Sequence, residues 1–231
     1  MVAEVRPNEL SKSIEDYLKV IYKLGSSGGP AQTSAIAHAL SVAPPSVSGM
    51  LKRLSDAGFV RHEPYRGVHL TTDGARAALR MIRRHRILET YLTSKLGYSW
   101  DTVHEEAERM EHAVSDVLIE RMALALGNPR YDPHGAPIPT EQGELIEPDA
   151  RPLTEVEVGA TVVLTMVADQ DGDRLRYLES LDLTPGARFV VRLRQPFNGP
   201  VTIELAPDDV KVIGFELASS LMCTVVDAVD R

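Results

Sequence analysis

The sequence predicts a chain of two textures, mainly α over its first 140 or so residues and all-β over its last 80 or so. Three observations carry that prediction. Apolar residues recur at helical spacing from Ser13 to Leu126. The stretch Asn128–Pro152 is interrupted repeatedly by proline and glycine, as a linker or irregular arm is. Beyond it come short runs rich in Val, Ile and Phe, the texture of strands. With 43% apolar and 25% charged residues, both parts can bury cores and neither reads as disordered.

The elements follow in order. Ser13 caps a first helix that runs to Leu24, with Asp16 three residues on as its capping partner, and Ile14, Tyr17, Leu18, Ile21 and Leu24 share one face. Gly25–Pro30 ends it. Thr33 or Ser34 caps a short helix, Ala35–Leu40. Ser41–Pro44 is a turn, and Pro45 suits the first turn of the next helix, which stops at Gly58. Phe59-Val60 and Val68-His69-Leu70 are two short strands around a loop containing Pro64-Tyr65-Arg66-Gly67. Thr71–Gly74 opens a long helix to about Leu96, and two more helices span Thr102–His112 and Ser115–Leu126. In the tail, Val162–Leu164, Phe189–Val191, Val201–Ile203, Val210–Ile213 and Met222–Val226 are strands, with a helical insertion at Leu175–Leu181. Five short strands predict a small barrel.

Helix, helix, turn, helix and a two-stranded wing is the order of a winged helix-turn-helix, whose second paired helix enters the major groove of DNA. The groove end here carries Pro45, Ser46 and Ser48, with Ser34 on the preceding helix. Lys52 and Arg53 lie a turn further along, where they can neutralise phosphates. Arg61, Tyr65 and Arg66 lie on the wing. Charge agrees: residues 1–98 carry 14 Lys and Arg against 8 Asp and Glu, whereas residues 99–231 carry 11 against 25, for a net charge of −8. A basic half joined to an acidic half directs only the first toward nucleic acid. The partner expected is double-stranded operator DNA. Few of the groove-end side chains are long enough for bidentate base contacts, so DNA shape is expected to share in specificity.

A second constellation follows. His104, Glu108, Glu111 and His112 fall within an arc of about 100° on one helix. The preceding helix carries His85 and Glu89 one turn apart. Imidazoles and carboxylates converging from two helices outline a divalent-metal site, although His85 also sits in a basic run, Arg83–Arg86. An enzyme is not expected. There is no i, i+3 Glu-to-His pair of the kind di-metal oxidases use, and His104-Glu105 lacks the second histidine of a zinc hydrolase motif. The single cysteine, Cys223, precludes an intramolecular disulfide and fits a reducing cytoplasm. The longest apolar stretch, around Ala160–Ala168, is about half a membrane span, and Met1–Leu10 is polar. Neither a membrane nor a small-molecule substrate is therefore expected as a partner. Val114, Val117, Leu118, Met122 and Leu126 make an apolar stripe, read as a homodimer surface or as core.

Several segments resemble the diphtheria toxin repressor family of metal-dependent regulators, most closely its manganese branch. They are Glu15-Asp16-Tyr17-Leu18, Pro45-Ser46-Val47-Ser48, Tyr65-Arg66-Gly67, Arg84-His85-Arg86, Val103–His112 and the Pro133–Pro139 stretch. The tail, with Leu183-Thr184-Pro185-Gly186, is similar to the SH3-like FeoA domain. The resemblance implies a winged helix-turn-helix over 1–72, a helical metal-binding and dimerisation domain over 73–140, a linker over 141–152 and an SH3-like domain over 153–231. It also implies a transcriptional repressor of metal homeostasis with two metal sites. One would use Asp16, Glu108, Glu111 and His112; the other His85, Glu89 and His104, with Asp171 and Asp173 near the positions where longer members donate ligands from the tail. Iron-sensing members have Met and Cys where this chain has Asp16 and Glu108, and these hard oxygen donors imply Mn²⁺ in preference to Fe²⁺. Lys19 stands where the manganese branch has a further carboxylate. Gly49 stands where some members have a base-reading glutamine.

Overall fold

The computed structural model describes residues 10–25, 29–63 and 66–226, and divides them into two compact units. The first runs to Arg84 and includes Pro139–Glu144; the second comprises His85–Ile138 and the chain from Leu145. No described helix is long and apolar enough to cross a membrane.

In the first unit, helices α1 (Lys12–Gly25), α2 (Thr33–Ala39) and α3 (Pro44–Asp56) precede the hairpin β1 (Val60–Glu63) and β2 (Gly67–Leu70). They enclose Leu18, Ile21, Ile36, Val47, Leu51, Leu54, Val60 and Val68. This is the predicted winged helix-turn-helix, with shifted boundaries. α1 begins before Ser13, because the Ile14 and Glu15 N–H groups already donate to Ser11 O. α2 begins at Thr33 after Gln32, and neither Thr33 nor Ser34 is its cap. Pro44 and Pro45 both occupy the first turn of α3, where a missing N–H costs nothing. Thr71 joins the wing to the long helix α4 (Thr72–Leu96): its hydroxyl donates to Gly58 O at 2.7 Å and accepts from Gly74 N at 3.1 Å. Gly74 is obligatory there, since a Cβ would lie 2.0 Å from Phe59 O.

The second unit contains the end of α4, then α5 (Val103–Met110) and α6 (Asp116–Ala125), packed around Ile87, Leu88, Leu92, Val103, Ala107, Ile119 and Ile138. α5 is shorter than predicted: Ala113 N–H reaches back three residues to Met110 O, which tightens the chain and leaves Glu111 and His112 in a turn. Within the predicted apolar stripe, Val114 and Met122 pack against this core, while Val117 and Leu118 are exposed.

The β part has strands β3 (Arg151–Pro152), β4 (Thr161–Val167), β5 (Arg188–Arg194), β6 (Val201–Ala206), β7 (Asp209–Ile213) and β8 (Leu221–Val225). They form one antiparallel sheet in the order β3-β8-β4-β5-β6-β7. The sheet is open where a closed barrel was expected, and is compatible with the SH3-like class. Two helices accompany it. α7 (Gly172–Ser180) starts earlier than predicted because Asp171 caps it, and α8 (Phe215–Ser220) was not foreseen. Phe189, Leu164, Leu175, Ile203 and Trp100 are among its core residues.

Candidate metal centre

α4 carries His85 and Glu89 one turn apart, and both are almost wholly buried. α5 carries His104 and Glu108, also one turn apart, and the turn after it carries the fully buried Glu111. His85 is the hub of this arrangement. Its Nδ1 lies 2.6 Å from Glu111 Oε2, and its Nε2 lies 2.9 Å from Glu89 Oε1 and 3.0 Å from His104 Nδ1. His104 Nδ1 is also 3.0 Å from Glu89 Oε1. Glu108 is more exposed, with Oε1 at 3.9 Å from His85 Nδ1 and 3.8 Å from His104 Nε2. His85, His104 and Glu108 thereby offer three donor atoms within 4.8 Å of one another. His112 Nε2 lies 3.5 Å from Glu111 Oε1.

Sequence reasoning missed a second cluster, Glu89 with Asp132 and His134. The two new residues lie in the proline-rich loop after α6. Asp132 Oδ1 accepts from the backbone N–H groups of His134 (2.8 Å) and Ala136 (2.9 Å), so the loop folds around its own carboxylate. Arg86 Nε lies 3.5 Å from Asp132 Oδ2, and Arg86 also donates to Pro137 O. Trp100 O receives His134 Nε2–H at 2.7 Å, which leaves the lone pair of the neutral ring on Nδ1. Among the described residues, that Nδ1 has no hydrogen-bond partner, and neither does Glu89 Oε2; the two buried atoms face each other at 3.8 Å. This is too long for a hydrogen bond. It is the separation that one cation spans with about 2.1 Å on each side. Buried acceptors are rarely left unsatisfied, so the arrangement fits a divalent ion with nitrogen and oxygen ligands.

The electrostatics point the same way. Burial opposes the charge on Glu89, but His104, His134 and His85 outweigh it and hold the carboxyl well below the usual range. Burial, aided by the neighbouring Glu89 charge, pushes Asp132 up. Burial also opposes charge on His134, yet Glu89 and Asp132 raise its value. The buried carboxylates thus favour positive charge beside them, the charge a metal ion would supply.

The remaining predicted residues are placed as follows. Asp16 lies on α1 in the first unit, half-buried. Lys19 is buried on the same helix. Asp171 and Asp173 belong to neither cluster: Asp171 Oδ1 accepts from Arg174 N at 3.0 Å as a helix cap, and Asp173 pairs with Arg176. Both line a cleft with Asp101, Thr102 and Glu105. In the first unit, Ser34, Pro45, Ser46, Ser48, Lys52, Arg53, Arg61 and Arg66 are all exposed. Ser48 Oγ donates back to Pro44 O at 3.3 Å, leaving its lone pairs outward. Tyr65 lies outside the described residues.

Residues 9–68 match the family model for the iron dependent repressor N-terminal DNA binding domain, and residues 71–140 match that family's metal binding and dimerisation domain. Residues 151–225 match the FeoA domain. The iron-dependent repressor IdeR of Mycobacterium tuberculosis is 32% identical over 226 residues, covering 93% of this chain and 97% of that one. The regulator MntR of Lysinibacillus sphaericus is 38% identical over 111 residues, 48% of this chain and 79% of that one. A solved manganese-dependent transcriptional repressor in complex with manganese superposes with a TM-score of 0.85 at 37% identity, covering 92% of this chain and all of that one. The chain belongs to the diphtheria toxin repressor family, the iron-dependent repressors, and is a metal-dependent transcriptional repressor.

Proposed function

We propose that this repressor responds to Mn²⁺, binds palindromic operator DNA as a homodimer in the cytoplasm, and controls metal-ion homeostasis. The observation that carries the reading is the pair of buried atoms without a hydrogen-bond partner among the described residues, Glu89 Oε2 and His134 Nδ1, 3.8 Å apart. Every candidate donor in the clusters is a carboxylate or an imidazole, and the only cysteine, Cys223, is buried in the β part. Hard oxygen donors suit Mn²⁺, whereas thiolate and thioether favour softer ions. The family resemblance assigns Asp16 and Glu108 to the same ion as Glu111 and His112. The homodimer reading rests on the exposed Val117, Leu118 and Leu124 of α6 together with the family's dimerisation domain.

Metal can switch such a protein only through a higher affinity for its DNA-competent state. A near-complete switch needs about 5.5 kcal/mol of preference, which several sites in a dimer share. The test is DNA binding by the purified protein to a duplex it selects from a random-sequence pool, measured in chelator and with Mn²⁺, Fe²⁺ or Zn²⁺ added. Tight binding is expected with Mn²⁺ and not in chelator. Equal affinity in chelator overturns metal control. Activation at lower free Fe²⁺ than Mn²⁺ reassigns the effector to iron, the ion named for the relatives called iron-dependent.

A further inference from the structure

The wing is tied to the helix-turn-helix by more than its own hairpin. Ala31, just before α2, bridges Val68 of β2 through two antiparallel hydrogen bonds of 2.9 Å each, tying that point of the chain to the edge of the wing. The next residue, Gln32, precedes α2 but caps nothing with its side chain. Its Nε2 instead donates to Arg66 O at 3.1 Å and lies 3.4 Å from Pro30 O. Both neighbours are carbonyl acceptors, so only the NH₂ end of the amide can face them. Gly67 follows Arg66 at φ +112°, and a Cβ there would come within 2.9 Å of Ala31 O and 3.0 Å of Gln32 Nε2. The wing backbone therefore approaches the start of α2 as closely as a residue without a side chain allows.

The residue held at this point is Arg66. Its side chain is 82% exposed, and its ion pair with Glu63 at 3.6 Å is itself exposed and easily exchanged for a phosphate. We infer that Gln32 is a positioning residue for DNA: by clamping the Arg66 carbonyl it fixes where the Arg66 guanidinium meets the phosphate backbone, and it makes the wing and α2 one body. The inference rests on the proposed DNA-binding role of the wing.

The test is a double-substitution cycle on the full-length protein in saturating Mn²⁺, using the same pool-selected duplex. Gln32→Ala is expected to weaken binding three- to tenfold and to flatten the dependence of affinity on salt toward that of Arg66→Ala, as losing a phosphate contact does. Added to Arg66→Ala, it is expected to cost less than a further twofold. Gln32→Met, of similar length but with no donor, is expected to match Gln32→Ala. Unchanged thermal unfolding would separate positioning from folding. Independent losses in the two single variants, or a salt slope that stays at the wild-type value in Gln32→Ala, would overturn the inference. Failure of the wild-type protein to bind any duplex would instead defeat the DNA-binding reading on which it rests.

Discussion

Glu89 has one oxygen in each of two clusters, and the clusters satisfy their donors in different ways. Its Oε1 faces His85 and His104 at 2.9 and 3.0 Å, in a chain that continues through His85 to Glu111 at 2.6 Å. There the short contacts mostly pair an imidazole with a carboxylate, His85 Nε2 and His104 Nδ1 at 3.0 Å being the exception, and hydrogen bonds close the network. Its Oε2 faces His134 Nδ1 across 3.8 Å, and neither atom has a hydrogen-bond partner among the described residues. The first arrangement can stand without a metal, and an ion entering it must displace hydrogen bonds. The second is shaped by its own second layer, Trp100 O on the ring and the loop N–H groups on Asp132, with its central gap unfilled. Similar residue types thus yield one region able to rest on protons and another preorganised for a cation.

The largest test of that contrast is Glu89→Gln, which removes the shared charge. Mn²⁺ affinity by calorimetry should fall by more than the roughly 100-fold upper end for losing an outer-layer partner. If affinity falls less than about tenfold, Glu89 belongs to a closed structural network and is no ligand. His134→Gln is narrower. Trp100, the only tryptophan, stacks on the His134 ring with centroids 5.9 Å apart. In the wild type, Mn²⁺ should therefore change Trp100 fluorescence. His134→Gln should abolish that change and cost about 10–100-fold in affinity at its own site, leaving binding at the His85 cluster. A fluorescence response retained in the variant would place the ion elsewhere.

How far the sequence foretold these two regions differs for a physical reason. His85 and Glu89, and His104 and Glu108, are one helical turn apart, so periodicity alone put each pair on one face. The wing and the helix-turn-helix were legible because Pro44 and Pro45, Gly58 and the alternation around Val68 punctuate the chain locally. Asp132 and His134 had no such signal. They lie in a proline-rich loop where side-chain direction follows no period, and the segment read as a linker. The short spacing Asp132-Pro133-His134-Gly135 was the available clue, and it gains meaning only once Trp100 and Glu89 are brought to it from distant positions. Asp171 illustrates the converse. The resemblance puts it near a ligand position donated by the tail, and in the structure it begins α7, where its carboxylate caps free N–H groups. The start of that helix, and the six-residue α8, were lost for the same reason: short elements are decided by packing more than by propensity.

The smallest of these effects, and the one that most directly probes preorganisation, comes from Gly135→Ala. Gly135 sits beside His134 at φ +82°, and a Cβ would lie 2.0 Å from Thr165 O, a backbone atom of β4 that cannot swing aside. The close approach lets Val167 N–H donate to His134 O at 2.9 Å and so sets the height of the loop against the sheet. Left-handed backbone alone costs a residue with a side chain about 1–3 kcal/mol, and the contact adds to that. For a chain of this size, each kcal/mol lowers Tm by about 2–4 °C. Gly135→Ala should therefore unfold several degrees earlier than the wild type. It should also shift His134 relative to Glu89 while leaving the His85 chain intact. The expected result is a severalfold loss of Mn²⁺ affinity confined to the phase reported by Trp100 fluorescence. A variant that loses stability but keeps that phase at wild-type affinity would show that the His134 pocket tolerates displacement, and that its open gap is not preorganised by the loop.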